Sequence, residues 1–468
     1  MPPRSKIWLA LAAAANLGAC TVGPDYAGAP TVATATRFAR AQGAEAAAPV
    51  AARWWTALAD PRLDGLIDAA FEASPNLEAA AARLRRARGL VGEDRAKRAP
   101  KVLGSATYIR GALPGDTLGA GVNDIQIEEY SLGANASWEP DLFGKLSRTL
   151  EQDRARAQAA EAEMADVRVT LAADIASAYV NLRDQQARLR LAGQILDIQR
   201  QRLVLLQQRR VAGATNEQEI VGSQADVEKA ASDLSQLQSD VELSLNQLAV
   251  LVGREPGALD GQFQEPSAVP LPPAQVAVGD PASLIRRRPD VRQAERNLAA
   301  ATAGIGVAVS QYYPSVNFIG LLGMGGDSIE DVVDTGKLTK LALPMISWTL
   351  LDFGRVKAQV AQSRAGQEEA LAQYRGAVLK ALEDAEGALS RFGHGRDALQ
   401  NARRSLASAQ RGAQLSAQRY AGGTINRIED LDVQRQALVA QQHVLESQAG
   451  VTKAFIAVEK SLGLGWEA

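Results

Sequence analysis

From Leu171 through Ile175, Ala178, Leu182, Gln185, Leu189, Ala192, Leu196, Gln199 and Leu203 to Leu206, the steps alternate between four and three residues. Only the two glutamines interrupt this apolar run, which marks it as the seam of a coiled coil. The pattern restarts beyond Gly213 as Val227, Ala230, Leu234, Leu237, Val241, Ser244, Leu248 and Leu251. A helix from Leu146 to Arg210 would be roughly 100 Å long at 1.5 Å per residue, too long to fold back into a compact globule. Gly213 therefore marks the turn of a long αα-hairpin, and Gly423 marks a second. A different period precedes the first hairpin. Tyr130, Leu132, Ala134, Ala136 and Trp138 alternate with Ser131, Gly133, Asn135 and Ser137, the signature of a half-buried strand. Val316, Phe318, Leu322 and Met324 share one face of a weaker strand.

These elements recur. Ser137-Trp138 and Ser347-Trp348 lie 210 residues apart, as do Phe143-Gly144 and Phe353-Gly354, Gly213 and Gly423, Glu219 and Glu429, and Gly253 and Gly463. Upstream the offset is 214, pairing Pro75 with Pro289, Leu84 with Leu298, Gly92 with Gly306 and Pro100 with Pro314. The second copy is thus four residues shorter between Pro314 and Trp348, where a loop tip absorbs the difference. Each copy opens on a helix at a proline. Ser74 is the expected N-cap of Pro75, and Asp290 the first-turn acid after Arg288-Pro289. Repeat symmetry places further strands at Lys101 and near Leu338, with loops predicted at Gly111–Asn123 and Gly325–Gly336. Glu255–Pro281 reads as a linker wrapping the outside, and the Arg286-Arg287-Arg288 run as a solvated or interprotomer face. Trp54-Trp55 reads as an anchor of the N-terminal segment on the helices.

Composition narrows the function. The chain has 468 residues, with 51 Lys and Arg against 53 Asp and Glu. That balance speaks against a nucleic-acid partner, which favours a basic excess. Two His and one Cys argue against a protein-built metal site or a thiol enzyme. No Ser-His-Asp set or phosphate loop is present, so neither an enzyme nor a bound cofactor is expected. Arg4 and Lys6 precede an apolar stretch from Ile7 to Leu17, which is an export signal too short to span a bilayer. Leu17-Gly18-Ala19-Cys20 resembles the bacterial lipobox. The resemblance implies cleavage before Cys20 and a lipid on its sulfur and new amino group. Thr21 after the Cys leans towards the outer membrane. Losing Arg4 and Lys6 leaves 49 basic against 53 acidic residues, a net charge of −4.

No later segment has 18 consecutive apolar residues, so any membrane crossing must be made by strands. Four strands cannot close alone, since the smallest bacterial barrels have eight. A dimer and a trimer both satisfy that count.

The layout resembles the TolC-like outer-membrane efflux factors in their lipoprotein, NodT-type branch. The likeness covers essentially all of the mature chain. Its motifs are Cys20 with Thr-Val-Gly-Pro-Asp-Tyr, Trp54-Trp55 with Asp60-Pro61, Trp138-Glu139-Pro140-Asp141-Leu142-Phe143-Gly144-Lys145, Arg288-Pro289-Asp290-Val291 and Asp352-Phe353-Gly354-Arg355. It implies a mostly α fold with a membrane β-barrel: a homotrimer whose twelve-stranded barrel stands on a helical periplasmic tunnel. The implied partners are outer-membrane lipid, a periplasmic adaptor and an inner-membrane resistance-nodulation-division pump. The corresponding organisation is a signal peptide at 1–19, a lipidated tether at 20–52, a first efflux-factor repeat at 53–254, a linker at 255–281 and a second repeat at 282–468. The rival readings are a structural coiled-coil lipoprotein, which has no use for strand pairs, and the duct of a type I protein secretion system.

The resemblance also places a periplasmic gate at the second hairpin turn. Tyr420 to Gly423, then Glu429 and Asp432, match the family's Tyr-x-x-Gly and paired-acid pattern. Threefold symmetry would gather six carboxylates, a ring that favours cations. The plainer reading is a solvated helix start, where acids are favoured. Glu219 fills the matching slot of the first copy, and a Tyr420–Glu219 bond is the implied latch. Ile425 stands where the family often has a basic residue, with Arg427 nearby. Trp138 and Trp348, with Phe143-Gly144 and Phe353-Gly354, are expected at the barrel–tunnel junction, and Tyr312 and Tyr313 near the strand ends.

Overall fold

The computed structural model describes residues 21–32, 35–41, 52–113 and 125–466. Cys20, the signal segment and the tip between the first two strands lie outside the described residues. The elements follow in the order α1 (Pro61–Ala73), α2 (Pro75–Lys97), β1 (Lys101–Leu113), β2 (Ile125–Trp138), α3 (Lys145–Val211) and α4 (Glu217–Leu251). Then come α5 (Pro281–Arg287), α6 (Pro289–Ser310), β3 (Ser315–Gly326), β4 (Leu338–Ser347), α7 (Arg355–Ala421) and α8 (Arg427–Ser461). Both α3 and α7 have 67 residues, and both α4 and α8 have 35.

The chain forms two compact units. One holds the described residues up to Pro30, with Arg83–Ala160 and Gln293–Tyr374; the other holds Thr31–Ala82, Glu161–Arg292 and the chain from Arg375 onward.

In the first unit the strands make one antiparallel sheet in the order β1-β2-β3-β4. Its register obeys the repeat. Lys101 pairs with Ser137 and Ser315 with Ser347, each residue displaced by its own offset. Glycine misled the predicted loop limits: Gly111 lies inside β1, and Gly325 and Gly326 inside β3. At Gly325 a side chain would meet the Tyr130 carbonyl oxygen at 2.3 Å, so glycine there permits strands to approach and does not mark a turn. The strand bases are fastened alike. The Trp138 indole donates to the Arg98 carbonyl and the Trp348 indole to the Tyr312 carbonyl, both at 3.0 Å. Phe143 stacks on Tyr313 with ring centres 4.9 Å apart.

The segment after Cys20 is docked in this unit. Arg148 donates to the carbonyls of Val22 and Gly23 and to the Asp25 carboxylate, the last at 2.6 Å. Gly23 has φ 90°, and a Cβ there would stand 2.5 Å from the Gly306 Cα. Gly144 opens the same kind of space for Thr21. The Tyr26 hydroxyl donates to Glu295, and burial together with that carboxylate raises its pKa.

The second unit is held by buried aromatic and polar anchors. Trp54 and Trp55 are buried, and Trp54 meets the edge of Phe455 in α8. Fully buried Arg183 donates to the Tyr179 hydroxyl, Gln186 and the Glu265 carbonyl, tying the 255–281 segment onto α3. Ser74 serves both helices: its N–H donates to the Ala70 carbonyl at the end of α1, and its carbonyl accepts from the Glu78 N–H at the start of α2, as expected of the residue before Pro75. The arginine run divides. Arg286 is exposed, but Arg288 is buried and bonded to Asp290, Asp384 and the Ser461 carbonyl. A solvated face is therefore wrong for Arg288, because a buried guanidinium persists only where carboxylates neutralise it.

Glu459 occupies the position that the first copy gives to fully buried Ala249. Burial pushes its carboxyl up to about 8. Between the ordinary carboxylate range and that value, the native state keeps a proton that the unfolded chain has released. Stability therefore falls as pH rises, by at most about 1.4 kcal/mol per pH unit. Thermal unfolding from about pH 5 to 8 should show this fall in the native protein and a flatter curve in Glu459→Gln. Parallel curves would remove Glu459 as the cause.

Candidate functional site

The two hairpin tips are built by the same backbone bonds. In the first, Gly213 N–H donates to the Arg210 carbonyl and Ala214 N–H to that of Arg209. In the second, Gly423 N–H donates to Tyr420 and Thr424 N–H to Arg419. Gly213 and Gly423 have φ 71° and 72°, the left-handed conformation that ends a helix with least strain. Asn216 and Asn426 then cap α4 and α8, accepting from the N–H groups of Glu219 and Glu429.

The side chains differ where the backbones agree. Arg210 pairs with Glu217 at 3.2 Å in the first tip. The equivalent pair in the second is Tyr420 and Arg427, with the guanidinium over the ring at 5.5 Å. Arg427 also bonds Asp430, which is 1% exposed and accepts from Ser416 at 3.0 Å and Gln434 at 2.9 Å. The first copy has Ile220 and Leu206 in place of Asp430 and Ser416. Sequence reasoning missed Asp430. The paired change from two apolar to two polar residues at equivalent positions was the available signal.

Each acid proposed for the gate has a partner in its own chain. Glu429 is exposed and accepts from the Asn426 side chain at 2.6 Å. Asp432 lies 3.5 Å from Arg202, which also bonds Asp226 at 2.9 Å. Glu219 accepts from the Thr215 hydroxyl. Within one chain the structure does not bring Tyr420 to Glu219. Tyr420 is 43% exposed and turned against Arg427. Among the described residues, no group of His, Cys, Asp and Glu could hold a metal ion.

At the strand bases, Trp138 ends β2, and Trp348 follows β4 directly. Phe143 is half-buried against Tyr313, whereas Phe353 is 93% exposed. Phe353 has φ 52°, a strained value for a side-chain-bearing residue.

A model of the outer membrane efflux protein family matches residues 66–254 and 281–464. Nodulation protein T of Rhizobium leguminosarum bv. trifolii is 28% identical over 455 residues, covering 96% of this chain and 95% of its own. The pyoverdine export outer membrane protein OpmQ of Pseudomonas aeruginosa is 30% identical, covering 89% and 88%. The solved structure of the outer-membrane channel OprN matches with TM-score 0.86 at 33% identity, over 96% of this chain and 100% of that one.

Removing Asp430 strands a guanidinium and a hydroxyl at the second tip. Asp430→Ala should weaken local closure of the tip by about 1–3 kcal/mol, the penalty of unpaired polar groups. The measurement is amide hydrogen exchange across Ala421–Arg427. Ser416→Leu with Asp430→Ile, which copies the first tip, should recover part of the protection. Equal exchange in all three proteins would show that the network does not hold the tip.

Proposed function

Because the chain belongs to the outer membrane efflux protein family, we propose that three copies form the passive outer-membrane duct of a tripartite efflux pump. Its partners are a periplasmic adaptor and an inner-membrane resistance-nodulation-division pump. One observation carries this reading: each chain offers a four-stranded antiparallel sheet with two unpaired edges. A bilayer does not tolerate open edges, so the sheets of several chains must join into a closed barrel. Apolar side chains stand exposed along one face of the sheet, among them Val102, Leu132, Phe318, Leu322 and Ile346. Lipid on one side accounts for that exposure. The long hairpins form the periplasmic tunnel, and a lipid on Cys20 adds a second anchor beside the docked Thr21–Tyr26 segment. Transport energy comes from the pump, so the duct itself needs neither catalysis nor a cofactor. Relatives are named for tasks as different as nodulation and pyoverdine export. This fits a duct whose cargo is selected by its partner.

The tips close the tunnel. Glu429 and Asp432 line the constriction, and Arg427 fixes the ring of Tyr420 so that its hydroxyl meets Glu219 of an adjoining hairpin. In planar bilayers, Tyr420→Phe combined with Glu219→Gln should raise closed-state conductance several-fold. Glu429→Gln with Asp432→Asn should lower cation preference without opening the pore. Unchanged leakage in the first variant removes the latch, and a native protein that never conducts removes the duct.

A further inference from the structure

The sheet face that carries Val102, Leu132, Phe318, Leu322 and Ile346 is bounded by rings at both ends. At the end nearer the helices, Trp138 stacks on Phe318 with ring centres 5.8 Å apart. Tyr130, eight residues before Trp138 on the same face, packs on Tyr108 at 4.7 Å. At about 3.3 Å per residue and ordinary strand tilt, the two sets of rings stand about 20 Å apart along the membrane normal. Aromatic girdles flank the apolar band of an outer-membrane barrel at about that spacing. The tyrosine pair, on the side away from the helices, therefore marks the outer-leaflet boundary.

At this height the two copies part. The repeat equivalent of Tyr130 is Lys340 in β4, and that of Met324 in β3 is Arg110 in β1. Inside the chain Tyr130 and Met324 are diagonal neighbours across the β2–β3 ladder. β1 and β4 are the open edges, so ring closure sets Lys340 of one copy diagonally across from Arg110 of the next. Two uncharged side chains at the internal junction are thus replaced by two cations at the junction between copies. Both cations are exposed, and among the described residues neither has a hydrogen-bond or ion-pair partner in its own chain. The acids close by are engaged. Glu128, opposite Arg110, accepts from the hydroxyls of Tyr108 and Tyr130 at 3.2 and 3.1 Å. Asp331, in the loop after β3, binds Lys337 at 2.7 Å. Diagonal neighbours lie about 7–8 Å apart, within reach of long side chains. Two cations so close at the edge of hydrocarbon repel each other unless an anion lies between them.

We propose that Lys340 of one copy and Arg110 of the next hold a phosphate group of an outer-leaflet lipid of the lipid A class. The site rests on the trimer reading and is complete only when the ring is closed. The Arg110 fork takes two phosphate oxygens, and Lys340 adds a point charge at the end of a stem long enough to rise to the headgroups. The acyl chains lie along the apolar face below, against Leu132 and Leu322. A free phosphate ion makes no such second contact, so the lipid is the favoured occupant. A lipid held in this way clasps two copies together.

The test uses the full-length protein, stripped of lipid in detergent, and reads the temperature at which its SDS-resistant trimer dissociates. Diphosphoryl lipid A should raise that temperature by several degrees, because it binds only the assembled ring. Inorganic phosphate and dephosphorylated lipid A should leave it unchanged. Lys340→Gln with Arg110→Gln should lose most of the rise, and Lys340→Arg should keep it. Lys101→Gln, on the opposite face at the other end of β1, should behave as the native chain. An equal rise in the double variant removes the site. An equal rise with inorganic phosphate removes the lipid as its occupant, and an equal rise with dephosphorylated lipid A removes the phosphate contact. If the double variant does not assemble, the two single substitutions carry the test: each should lose part of the rise, and full retention in both removes the site. A native trimer that does not respond to lipid A also removes the site and leaves the trimer standing. A native protein that stays monomeric to an amine-reactive cross-linker removes both.

Discussion

A peptide N–H or C=O in hydrocarbon has no water to bond, and each unmet group there costs several kcal/mol. Helices meet this demand within themselves; strands meet it only through neighbours. The two inner strands of this chain have neighbours on both sides, and β1 and β4 have one each. The smallest object that satisfies every strand is therefore larger than the chain. The open edges at β1 and β4 are what building a closed surface out of open pieces requires.

Duplication also explains where the sequence was readable. The coiled-coil seams and the alternation along β2 are local periodicities, and each predicted its element. β1 and β4 alternate poorly, but the second copy supplied what the local pattern lacked. The same offsets that align Trp138 with Trp348 also set the ladder registers. What stayed hidden depended on contacts between distant residues. Arg288 looks like one member of a solvated cationic run until Asp384, 96 positions on, is seen against it. Gly111 looks like a turn until the crowding at Gly325 shows what glycine does at that place in the repeat. Asp430 was overshadowed by its neighbours Glu429 and Asp432, because acids at a helix start are ordinary and burial is not written in the residue type.

The docked N-terminus belongs to the same economy of small residues. Thr21 to Asp25 lies where Gly144 and Gly306 leave room, and Arg148 gathers two carbonyls and a carboxylate of that segment. Arg148 is only 4% exposed at its side chain, so its hydrogen bonds are made out of competition with water. The segment directly after Cys20 is thus held by the first unit, near Phe143 at the foot of the strands. A lipid on Cys20 would be tethered to the part of the chain that carries the sheet.

The hairpin tips show what duplication leaves free to vary. Their capping bonds are the same, so the backbone of the turn is built alike in both. The side chains they carry are not interchangeable. An exposed pair such as Arg210–Glu217 contributes little and is screened by salt. At the second tip a buried carboxylate binds a hydroxyl, an amide and a guanidinium, and that guanidinium lies under an aromatic ring. Such a network is strong when complete and costly when broken. One tip is thus loosely held and sensitive to ionic strength, the other stiff.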